Sequence, residues 1–91
     1  MSTGSVIHKY KIRMTHFDMF LAEGSKIIDI AFQNGDPYMW VERPADMNVS
    51  CKGRNFEVYG TGDFIPEGNR VHLKTLHAVG GVLVLHFFEK I

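Results

Sequence analysis

One cysteine, three prolines and no long apolar run set the first limits on this chain of 91 residues. A single thiol, Cys51, excludes an internal disulfide, and the N-terminus lacks a basic segment followed by an apolar signal core, so a cytoplasmic location is expected. The longest apolar run, Val82 to Phe88, is interrupted by His86 and falls far short of the ~20 residues that cross a bilayer as a helix. No membrane partner is expected. Neither sign of charge dominates: ten Lys plus Arg balance ten Asp plus Glu. No long-range field therefore draws the chain to a polyanion, and general nucleic-acid binding is disfavoured. The same balance leaves little colloidal repulsion and permits self-association. Also missing is any stretch that reads as a long amphipathic helix.

What is present is a strand grammar of apolar/polar alternation, broken at short intervals by Gly, Pro and Asn. With 45% apolar and 22% charged residues, the chain has an ordinary globular composition, and its length suits one domain that buries roughly 60–65% of its unfolded surface. Residues 1–5 are small and polar and read as a disordered terminus, leaving 6–91 as a single β domain. Period-two alternation predicts a first strand over Val6–Met14, with Val6, His8, Tyr10, Ile12 and Met14 on one side and Lys9, Lys11 and Arg13 on the other. A short strand follows over Phe17–Leu21. Crowded β-branched residues make Lys26–Gln33 read as a central strand buried on both faces. Asn34-Gly35 favours a type I′ turn into Tyr38–Arg43, with Asp36-Pro37 able to lengthen the loop. Met47–Lys52 reads as an edge segment or a loop. Further strands are predicted over Arg54–Tyr59, with Phe56 and Val58 buried, over Val71–Leu76, and over Val82–Glu89 after a Gly80-Gly81 turn. Six or seven strands at this turn density predict an all-β fold, a small antiparallel sandwich or barrel.

Several stretches, taken in order, carry a family resemblance. They are Ile7-His8-Lys9-Tyr10, Gly24-Ser25-Lys26-Ile27-Ile28 leading into Gln33-Asn34-Gly35, Tyr38-Met39-Trp40-Val41, Phe56-Glu57-Val58-Tyr59-Gly60-Thr61-Gly62-Asp63, and Leu85-His86-Phe87-Phe88-Glu89. Together they resemble a family of small uncharacterised proteins encoded by bacteriophages and by bacteria, many of them from prophages. The resemblance implies a β-rich fold and a phage setting, and it carries over no catalytic residue. Val41 departs from it, standing after the tryptophan where the resemblance implies a small residue.

The strongest candidate site is Tyr59-Gly60-Thr61-Gly62. Two glycines around a threonine can present successive N–H groups as a nest for phosphate or another anion, with the Thr61 hydroxyl as a further donor. The plainer reading is that Gly60 and Gly62 permit a bulge or tight bend. A P-loop is excluded, because the Lys-Ser/Thr ending and the following helix are missing. Tyr38 and Trp40 share one face of their strand, and if that face is open they form a stacking platform for a base, with Arg43 near enough to hold a phosphate. If it is closed, they are core. The five histidines match no ligand spacing, and His72 and His77 fall on opposite faces of a regular strand, so no metal and no cofactor is expected. Cys51 with a histidine lacks any nucleophile signature, and Asp29, Asp36, Glu42 and Glu57 form no acid–base pair. Lys9, Lys11 and Arg13 form a basic stripe that suits a solvated strand edge.

These residues predict a protein that is not an enzyme. The first expectation is a homo-oligomer that sequesters a small anionic ligand, such as a nucleotide signal of host defence, with Gly60, Thr61 and Gly62 on phosphate and Tyr38 or Trp40 on the base. The alternative is a protein–protein interaction module that inhibits or assembles with a host or phage protein. Concavity lined by N–H groups and an arginine at Tyr59–Asp63 would favour the first; an apolar surface would favour the second.

Overall fold

Asn34 and Gly35 both take positive φ, 53° and 86°, the pair of values a two-residue type I′ reversal requires. They join β3 (Lys26–Gln33) to β4 (Asp36–Pro44) with no longer loop, since Asp36 already pairs with Gln33. In the computed structural model, which describes residues 4–91, β1 (Ser5–Lys11) lies antiparallel on the other side of β4, giving a three-stranded sheet in the order β1-β4-β3. Most of the terminus expected to be disordered, Met1–Thr3, lies outside the described residues; Ser5, its last residue, opens β1.

A second, four-stranded sheet has the order β2-β5-β7-β6, from β2 (Phe17–Ala22), β5 (Cys51–Gly60), β6 (Arg70–Ala78) and β7 (Leu83–Lys90). All its pairings are antiparallel. The fold is therefore an all-β sandwich of seven strands in two sheets. Between them lie Met39 and Val41 of β4, Ile30 of β3, Leu21 of β2, Phe56 and Val58 of β5, Leu76 of β6, and Leu85 and Phe87 of β7. Phe17 stacks on Phe56 with ring centroids 5.0 Å apart. An ion pair lies at one end of the core. Arg54 Nε and Nη2 donate to the Glu89 carboxylate at 2.6 and 2.7 Å, and Nη1 donates to the Ser25 carbonyl at 2.7 Å, a bidentate geometry that fixes both strands.

Four expectations need correction, each for a local reason. The first strand stops at Lys11: Ile12 N–H still reaches the Pro37 carbonyl (3.0 Å), but proline has no N–H to return the bond, and the chain then crosses to the other sheet. β3 is an edge strand, not a central one; a bulge between Ile27 and Asp29 turns Ile27 and Ile30 inward and leaves Ile28 exposed, so adjacent isoleucines serve two faces. The segment read as an edge or loop ends in Cys51 and Lys52, which open β5, a central strand flanked by β2 and β7. A second bulge between His72 and Lys74 shifts the parity of β6, so His72, Thr75 and His77 share the outer face instead of dividing between two.

Candidate functional site

β2 pairs with β5 only as far as Phe17–Phe56, and beyond that point the two chains part. The Val58 N–H, deprived of a strand partner, donates to His16 Nδ1 at 2.9 Å. An imidazole thus completes the strand edge, with its proton on Nε2 when neutral. The separation opens a groove of about 880 Å³ between Met14–His16 on one side and Gly60–Asp63 and Val82–Leu85 on the other.

Of the expected nest Tyr59-Gly60-Thr61-Gly62, Gly60 and Thr61 line the groove, together with Asp63, but the N–H groups of Gly60 and Thr61 are already engaged. Gly60 N–H donates to Asp63 Oδ2 (2.7 Å), Thr61 N–H points to the Val84 carbonyl (3.4 Å), and Asp63 N–H closes the turn on the Gly60 carbonyl (3.1 Å). With Gly62 at φ 94° in its third position, this is a type II turn. The Asp63 carboxylate stands where a captured anion would have to sit. No lysine or arginine lines the groove. Exposed apolar side chains stand in its walls, Met14 and Leu83 with Val82 at 85% exposure, beside the polar Thr15, His16 and Thr61; Phe64, next to Asp63 but outside the lining, is also 85% exposed.

Behind the turn, the outer face of the four-stranded sheet holds a chain of hydrogen bonds that the sequence did not reveal. Thr61 Oγ1 bonds His86 Nε2, His86 Nδ1 bonds Thr75 Oγ1, and Thr75 Oγ1 bonds His72 Nε2, each at 2.9 Å. A hydroxyl beside an imidazole is half of a nucleophile–base pair. Here the orienting position is a neutral threonine, and the nearby Gly60 and Thr61 N–H groups are engaged, so neither the base nor an oxyanion is supported. The arrangement pins the turn to the sheet. Only after the bulge in β6 places His72 and Thr75 on one face can the chain form, which is why strict alternation hides it.

Beside it, Glu57 and Tyr59 are buried although they face outward. His16 packs edge-on against Tyr59 at 5.1 Å, and Phe88 does so at 5.9 Å. Arg70 Nε donates to Glu57 Oε1 at 2.7 Å, and this bond holds the Glu57 carboxyl below its ordinary range against the opposing effect of burial. Removal from water pushes the Tyr59 phenol up. Arg70 Nη1 also donates to the Pro66 carbonyl (2.7 Å), tying down the loop that follows the turn.

The other predicted site residues lie elsewhere. Tyr38 and Trp40 occupy the outer face of the three-stranded sheet, half-buried and tilted at 54° with centroids 6.3 Å apart. Lys9 Nζ sits 4.7 Å from the centre of the Tyr38 ring in a cation–π contact. Arg43 has the opposite parity on β4, and its guanidinium donates to the Pro44 and Asp46 carbonyls (2.9 and 3.1 Å). The aromatic pair and Arg43 are therefore not brought to the Gly60-Thr61-Gly62 turn, which belongs to the other sheet. Among the described residues no cluster of three or more His, Cys, Asp or Glu side chains could hold a metal ion, and no helix is long and apolar enough to cross a membrane.

No curated protein and no solved structure matches the chain. A family model described as a domain of unknown function, DUF7352, matches residues 3–91. With almost its whole length covered, the chain belongs to the DUF7352 family.

Proposed function

We propose that this protein is a non-enzymatic binding module whose groove receives an apolar side chain of another protein, flanked by a basic group that meets Asp63. The observation that carries this reading is the composition of the groove: exposed Met14, Val82 and Leu83 around a carboxylate, with no cationic side chain in the lining. One carboxylate oxygen, Oδ2, is held by Gly60 N–H, which leaves Oδ1 to accept from a lysine, an arginine or a backbone N–H of the partner. Exposed apolar residues grouped around a concavity are characteristic of interaction sites.

Capture of a small anion such as a nucleotide is the second reading. The turn and the aromatic pair that motivate it lie on different sheets, and Asp63 opposes a phosphate in the turn. The setting we propose for either reading is the phage or prophage genome that the resemblance implies, and the genes flanking others of this family would test it. Isotope-edited methyl spectra test the binding reading. A short extended peptide of alternating leucine and arginine is expected to shift the Met14, Val82 and Leu83 methyl signals, and Val82→Asp is expected to abolish the shift. Calorimetric binding of nucleotides or cyclic dinucleotides, with the peptide inert, would replace this reading with the second.

A further inference from the structure

β1 is written as a half-buried strand and is left uncovered. Its inner-face residues alternate Val6, His8, Tyr10, yet Val6 is 40% exposed and His8 is exposed; on the other face Ile7 is 60% exposed. Among the described residues it is also an edge of its sheet, with β4 as its one partner.

The hydrogen-bond parity of that edge can be read directly. Ala45 N–H donates to the Gly4 carbonyl and Ile12 N–H to the Pro37 carbonyl, both at 3.0 Å, and the register pairs Ser5 with Pro44 and Lys11 with Tyr38. Even-numbered positions therefore turn their backbone groups toward β4, and Ser5, Ile7, Lys9 and Lys11 turn theirs to the free edge. Seven residues of extended backbone, with donors and acceptors at alternate positions, form a template for another strand.

We propose that the occupant is β1 of a second copy of this chain, paired antiparallel about a two-fold axis at His8, so that two three-stranded sheets become one of six. In this register Ile7 faces the partner's Lys9, Val6 faces the partner's Tyr10, and Ser5 faces the partner's Lys11. No lysine faces a lysine, whereas an axis at Lys9 would set like charges opposite each other.

Charge complementarity favours a second copy. Glu42, next to β1 on the outer face, accepts a hydrogen bond from Ser5 Oγ at 2.6 Å and makes no ion pair among the described residues, not even with its β3 neighbour Lys26. Lys11 makes only a 3.6 Å contact to Asp36, both side chains being at least half exposed. The two-fold brings the partner's Lys11 opposite Ser5, whose hydroxyl bonds Glu42, one pair along from the Ile7–Glu42 row that the partner's Lys9 faces. A lysine on this face already reaches diagonally over a neighbouring strand, since Lys9 Nζ meets Gln33 Oε1 at 2.7 Å across β4. The contact forms twice by symmetry. The interface is separate from the groove, so it stands or falls independently of the function proposed above.

Sedimentation equilibrium and cysteine cross-linking test the pairing. The protein is expected to sediment as a dimer at micromolar concentration. In a Cys51→Ser background, His8→Cys places two thiols at a non-hydrogen-bonded position, where Cα atoms lie ~4.5 Å apart and a disulfide can close. Ile7→Cys does not face its own copy and is expected to cross-link at least about tenfold more slowly. Ile7→Pro removes a free-edge N–H and no ladder bond to β4, so a monomer with an unchanged circular-dichroism spectrum is expected. A parent protein that remains monomeric at hundreds of micromolar, or cross-linking of Ile7→Cys as fast as that of His8→Cys, would overturn the proposal. The cysteine pair decides the register even if the proline variant fails to fold.

Discussion

Glu57 is the residue at which pH should be felt in stability. Its carboxyl is held below the ordinary range first by the Arg70 hydrogen bond, and that of Asp29 is lowered in the same way by Lys74. A carboxyl whose folded-state pKa lies below its unfolded value stabilises the fold above the unfolded value; the gain is lost as pH falls through that value to the folded one. Thermal midpoints are accordingly expected to hold down to about pH 5 and to fall as pH drops through 4, the ordinary carboxylate range. Glu57→Gln should flatten that acid limb and lower the midpoint at pH 7, where it leaves Arg70 without its carboxylate. An acid limb unchanged in Glu57→Gln would show that the pair contributes nothing. Val79 is strained on different grounds. A β-branched residue at φ 50° occupies the left-handed region, at a cost of about 1–2 kcal/mol, and asparagine tolerates that region. Val79→Asn is expected to raise stability by about 0.5–1 kcal/mol in urea titration, and a loss would contradict the strain.

At the scale of elements, most of the architecture was legible because turns and alternation are local. Asn34-Gly35 announced its hairpin, and with φ 86° at Gly35, Gly35→Ala is expected to cost about 1 kcal/mol by denaturant unfolding. Phe56 and Val58 announced the buried side of β5. Phe87 was legible only as part of an apolar run, but it is 1% exposed at the centre of the core. Phe87→Ala is expected to remove about 3–5 kcal/mol, a large share of the ~5–10 kcal/mol usual for a domain of this size, and a stability loss below 1 kcal/mol would place the core elsewhere. Bulges were not legible. An extra residue in β3 or β6 leaves no compositional mark, and each reverses the faces of everything beyond it. That single effect hid both the edge position of β3 and the alignment of His72 with Thr75. The Gly60–Gly62 turn could be recognised as a bend but not as one in which Asp63 takes the Gly60 N–H and Val84 the Thr61 N–H; the second of these bonds depends on β7, over 20 residues away in sequence.

On the scale of the whole molecule, the two ends of the sandwich differ in chemistry. Arg54 and Glu89 pair at the first, while at the second β2 parts from β5 and leaves Met14, Val82 and Leu83 around Asp63. The charge of the whole chain is balanced, so what distinguishes one surface from another is local: an apolar, acidic groove at this end, and an uncovered strand at the edge of the three-stranded sheet. The measurement that tests the account most directly is a pair of titrations on one sample with assigned backbone amides and methyl groups, first with inorganic phosphate and then with the leucine–arginine peptide. Phosphate is predicted to leave the Gly60, Thr61 and Gly62 amide signals in place, and the peptide to move the Met14, Val82 and Leu83 methyl signals together. Saturable movement of those amides by phosphate, with the methyl groups silent toward the peptide, would contradict the account.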